Sequence, residues 1–120
     1  MTIYTTADGE IFDPEAIERR LRELGERWAD TDAAASLLET TEKSLLAEII
    51  LYYRSQDVAK SDAALERHAR ASPQFKKHQK DMVEARRIAT RARVGYDAFK
   101  VRCEMERTRM ATERAQMQMR

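Results

Sequence analysis

The sequence predicts an all-α protein, an elongated helical hairpin or coiled coil with a long C-terminal helix and a short extended N-terminal segment. Three observations carry this. Only 3 Gly and 2 Pro punctuate 120 residues, so few positions terminate an element. The chain is 42% hydrophobic and 36% charged, a balance suited to solvent-washed helices. Finally, apolar residues recur at three- and four-residue spacing over long stretches, with no internal cap beyond Pro73.

The length suits a single helical domain over residues 1–120, with residues 1–12 extended, 13–72 forming N-terminal helices and 73–120 a long basic coiled-coil helix. At the start, Ile3-Tyr4-Thr5-Thr6 and Ile11-Phe12 flank Ala7-Asp8-Gly9-Glu10, and Asp-Gly favours a tight turn between short strands. Asp13-Pro14-Glu15 then starts a helix. Asp caps free N–H groups, Pro loses nothing at the first helical position, and Glu meets the positive end of the dipole. Ile17, Leu21, Leu24 and Trp28 share one face of it.

Ala29-Asp30-Thr31-Asp32 reads as the end of this helix and a new cap, which sets a second helix over about Asp32–Ala59. Leu38, Leu45, Leu46, Ile49, Ile50 and Tyr53 give that helix a broad apolar face. Lys60-Ser61-Asp62 supplies another break and cap, and a short helix over Ala63–Ala71 leads to Ser72-Pro73, a repeat of the cap-plus-proline signal.

Beyond Pro73, positions seven apart are Phe75, Met82, Ala89, Tyr96, Cys103, Met110 and Met117. Three residues after each of the first six stand His78, Ala85, Ala92, Phe99, Glu106 and Glu113. This is a heptad seam with a good a series and a d series that fails near both ends. A helix of about 45 residues would be roughly 68 Å long, against about 42 Å for the helix over 32–59. The far end, with Cys103, Met110 and Met117, therefore calls for another chain, and Phe75, Met82, Ala89, Tyr96, Phe99, Cys103, Met110 and Met117 are the expected oligomerisation residues. Gly95 is expected to mark close packing or a bend beside Tyr96.

Charge is unevenly spread. Residues 1–72 hold 9 Lys/Arg against 15 Asp/Glu, while residues 73–120 hold 13 against 6. With Phe75 as position a, the e positions from 86 onward are Arg86, Arg93, Lys100, Arg107 and Arg114, at intervals of about 10.5 Å. Arg102 and Arg109 lie at g, and Lys76, Lys77, Lys80, Arg87 and Arg91 thicken the positive zone. Two readings follow. The ladder either pairs with carboxylates such as Glu39, Glu42, Glu48 and Asp57, or it contacts phosphates of single- or double-stranded nucleic acid. The expected nucleic-acid-binding set is Lys76, Lys77, Lys80, Arg86, Arg87, Arg93, Lys100, Arg107 and Arg114. No base-reading motif accompanies it.

Catalysis is not expected. His68 and His78 lie on opposite sides of Ser72-Pro73 without ligand spacing, Cys103 has no Cys-x-x-Cys partner, and the glycines form no phosphate loop, so no catalytic residue, metal or cofactor is expected. The single cysteine fits a reducing compartment. With no signal-like start and no apolar window near the roughly 20 residues of a membrane span, it gives a cytoplasmic, membrane-free expectation. Met105, Met110, Met117 and Met119 offer an adaptable protein-binding surface as an alternative use of this end.

The run Ala85-Arg86-Arg87-Ile88-Ala89-Thr90-Arg91-Ala92-Arg93-Val94-Gly95-Tyr96, with Phe99-Lys100 and Arg107-Thr108-Arg109-Met110-Ala111-Thr112-Glu113-Arg114 downstream, resembles small helical accessory proteins of phages. Within that group the recombination-mediator proteins are helical oligomers that bind single-stranded DNA and help load a recombinase. The resemblance covers about residues 73–118 and implies an oligomer acting on nucleic acid or a nucleic-acid-processing complex. The rival expectation is a protein-binding adaptor or inhibitor without nucleic-acid affinity, and a structural coiled-coil element is third.

Overall fold

The computed structural model describes residues 4–5 and 11–119. These form a two-residue antiparallel ladder and three helices. Strands β1 (Tyr4–Thr5) and β2 (Ile11–Phe12) pair Tyr4 with Phe12 and Thr5 with Ile11. The Asp-Gly turn expected between them lies outside the described residues. Helices α1 (Pro14–Ser55), α2 (Asp62–Arg70) and α3 (Pro73–Gln118) follow. The all-α expectation, with a long C-terminal helix, holds.

The break expected at residues 29–32 is absent, and α1 runs through it without interruption. Ile17, Leu21, Leu24 and Trp28 before it, Thr31 within it, and Ala35, Leu38, Glu42, Leu45 and Ile49 after it are all buried or half-buried. Their spacing alternates between four and three throughout, so one seam crosses the supposed boundary in register. Asp and Thr are good caps, but neither breaks a helix whose packed face continues on both sides. Asp32 spends its carboxylate on Arg86 instead of on a cap.

The helix ends up to the start of α3 have identifiable causes. Asp13 Oδ1 accepts from the Glu15 amide at 3.1 Å and starts α1. At its other end, Val58 N–H donates to Tyr53 O and Asp57 N–H to Arg54 O, with Asp57 at φ 51°. This is a Schellman closure with a non-glycine residue in the left-handed position, and it stops α1 four residues before the expected Ala59. Ser61 Oγ accepts from the Ala64 amide at 3.1 Å and caps α2. Ser72 is buried and serves two helices: its Oγ donates to Ala69 O at 2.6 Å and accepts from the Phe75 amide at 3.2 Å. A single hydroxyl thus closes α2 and opens α3, with Pro73 at the first helical position.

Contacts divide the chain into two units, one of Asp30–Ala89 and one of the described residues up to Ala29 and from Thr90 onward. The first is centred on Ile49, Ala69 and Phe75, with Leu45, Leu46, Ile50 and Tyr53 packed around them. Phe75 and Leu65 are its largest fully enclosed side chains. In the other unit, Tyr96 lies 5.6 Å, ring to ring, from Trp28, and a Cβ built on Gly25 would stand 3.5 Å from Tyr96 Cε2. Gly25, not Gly95, is the glycine that faces the tyrosine. Gly95 has nothing within 4 Å of its missing Cβ, and α3 passes through it.

Candidate nucleic-acid interface

The heptad register of α3 decides which side chains are covered and which are presented. Its a positions are buried or half-buried from Phe75 to Met110: Phe75 and Ala89 are 1% exposed, Cys103 and Met110 are 8%, and Met82 and Tyr96 are half-buried. Phe99 at d is half-buried as well. Among the expected oligomerisation residues only Met117, at 74%, is open to solvent. The cover that the sequence assigned to another chain is supplied at Cys103 and Met110 by this chain itself.

The polar d positions have local partners. His78 Nε2 lies 2.8 Å from Leu38 O, so that ring nitrogen donates. Glu106, expected to spoil the seam, keeps only 15% of its side chain exposed and accepts from Arg109 Nε at 2.9 Å. Arg109 Nη1 reaches Glu113 at 2.6 Å. A half-buried carboxylate beside a fixed guanidinium is tolerable where a lone one is costly.

The e row divides into two parts. Arg86 is gripped by α1. Its Nε and Nη2 contact the two oxygens of Glu39 at 2.7 and 3.0 Å, while Nη1 meets Asp32 Oδ1 at 2.7 Å. Hydrogen bonding to Arg86 holds the Glu39 carboxyl below its ordinary range, and the same bonds raise the Arg86 pKa. At this rung the carboxylate-pairing reading applies, with Glu39 as foreseen and Asp32 as the partner the sequence did not suggest. Asp57, also offered as a partner, sits in the turn after α1. Arg87 pairs with Glu84 one turn back along α3.

Arg93, Lys100, Arg107 and Arg114 are all exposed. At seven-residue spacing on one unbroken helix they form a row about 32 Å long, roughly one cation per two turns. Lys76, Lys77 and Lys80, near the start of α3, are exposed too but belong to the Asp30–Ala89 unit.

Burial pushes the Cys103 thiol up, more than Arg102 and Arg107 draw it down, so little thiolate forms there. Among the described residues no cluster of His, Cys, Asp and Glu has the makings of a metal site, and no helix is long and apolar enough to cross a membrane.

Among the described residues, α3 thus combines a covered seam with an exposed row of cations. No family model, curated protein or solved structure matches the chain.

Proposed function

We propose that the chain is a non-catalytic binding protein whose C-terminal helix presents Arg93, Lys100, Arg107 and Arg114 to the phosphates of a nucleic acid. The observation that supports this is the contrast in exposure within the e row: Arg86 is half-buried against two carboxylates of α1, while Arg93, Lys100, Arg107 and Arg114 all reach solvent. An α-helix displaying cations in line attracts a phosphate backbone by counterion release and confers no base preference. The row is too sparse to match every phosphate, so the contact is intermittent and strongly salt-dependent.

The test is a salt titration of binding to single- and double-stranded DNA, using the intact chain and a variant with Arg93, Lys100, Arg107 and Arg114 all changed to Gln. Affinity should fall, and the slope of log affinity against log salt should become shallower by about 0.7–0.9 for each phosphate no longer neutralised. Arg86→Gln serves as the control that leaves this slope unchanged. Binding unaffected by the quadruple change would overturn the proposal.

A second reading, an adaptor for protein without nucleic-acid affinity, draws on the fact that Arg86, Arg87 and Arg109 are all held by carboxylates of the same chain. It predicts no DNA binding at any salt concentration.

A further inference from the structure

One face of α3 has no role in either the packed seam or the cationic row. Val94, Ala98, Val101 and Met105 follow one another at four, three and four residues and are all exposed, Met105 at 67%. The same spacing continues, through two threonines, to Ala115 and Met119, the latter 89% exposed. These are the c and f positions of the heptad, on the side of the helix opposite the covered a and d positions. A shallow furrow lined by Val94, Val101 and Met105 runs along them. Scattered apolar side chains are ordinary on a surface, but a second in-register stripe about 38 Å long is a packing face.

The charges beside the stripe specify what fits it. One flank carries Asp97 and Glu104, and the other carries Arg102 and Arg109. When two identical helices pack in parallel on such a stripe, each residue of the acidic flank meets the basic flank of the partner five residues further on. Asp97 then faces Arg102 of the other copy, and Glu104 faces Arg109. Two-fold symmetry repeats both pairings. An antiparallel arrangement sets acid against acid and base against base. Arg102 and Arg109 both already have partners within the chain, Arg109 in Glu106 and Glu113, so each joins its pairing by sharing or exchange.

We propose that α3 pairs in parallel with α3 of a second copy of this chain, along the Val94–Met105 stripe and its continuation to Met119. Small residues and a single-helix footprint place the contact at the low end of specific interfaces, so dimerisation is concentration-dependent. This surface is distinct from the seam of Phe75, Cys103 and Met110, and it leaves the cationic row uncovered.

Sedimentation equilibrium of the full chain over a wide concentration range tests this. The expected mass rises from one chain to two. Val101→Asp and Met105→Glu should each raise the dissociation constant about tenfold or more, with helical content unchanged because both side chains already face water. Asp97→Arg should weaken the dimer, and adding Arg102→Asp to it should restore pairing. A chain that stays monomeric at millimolar concentration overturns the proposal. So does a dimer indifferent to Val101→Asp and Met105→Glu, or one that the double charge exchange fails to restore.

Discussion

The two ends of α3 obey one heptad rule and meet different fates. Near its start, Phe75 at an a position is sealed in a cluster with Ile49 and Ala69, and Arg86 at an e position is clamped by Glu39 and Asp32. Near its end, Met117 at an a position is open to water, and Arg107 and Arg114 at e positions are exposed. The periodic pattern is the same. What differs is how much chain lies against it, so burial converts the first stretch into structure and leaves the last turns exposed.

Truncation at the two ends should separate these fates most sharply. Phe75→Ala should cost about 3–5 kcal/mol in denaturant unfolding, because it empties a fully enclosed site. Met117→Ala, at the same heptad position, should leave the unfolding midpoint essentially unmoved. Equal losses would mean that the covered and open ends do not differ as described.

A smaller effect tests the junction from which α3 starts. Ser72→Ala removes a buried hydroxyl that caps α3 and also donates to Ala69 O, and should cost about 1–2 kcal/mol. A change near zero would mean that the cap contributes little beyond Pro73.

The smallest effect concerns the ion pairs. Glu39 is held below its ordinary value of 4.5, chiefly by hydrogen bonding to Arg86. A lowered folded-state pKa gives stability that is complete above the unfolded value and is lost as pH falls through the folded one. Acidification through and below that range should therefore weaken the wild type more than Arg86→Gln, and added salt should narrow the gap between them. Identical acid profiles would detach Glu39 from the stability of this region.

Much of this was legible in the sequence, and particular residues show why the rest was not. Ser61 and Ser72-Pro73 marked real helix starts, because capping is a local matter of a side-chain oxygen within three residues of an amide. Asp30-Thr31-Asp32 carried the same local signal and misled. The continuing seam at Thr31, Ala35 and Leu38 outweighed it, and Arg86, distant in sequence, took the Asp32 carboxylate. The stripe at Val94, Ala98, Val101 and Met105 was also written in the sequence, but it has the same period as the seam on the opposite face, and a search for one apolar side passes over the other.

The amino-acid order by itself determined the all-helical class, the length of α3, its heptad register and the line of cations along its flank. Each follows from short-range propensities and a fixed helical repeat. The tertiary structure alone decided that α1 is one helix, that the chain itself covers Cys103 and Met110, and that Arg86 pairs inward while the later rungs stay exposed. Those outcomes depend on which distant segment packs against each face, and periodicity specifies a face without naming its neighbour.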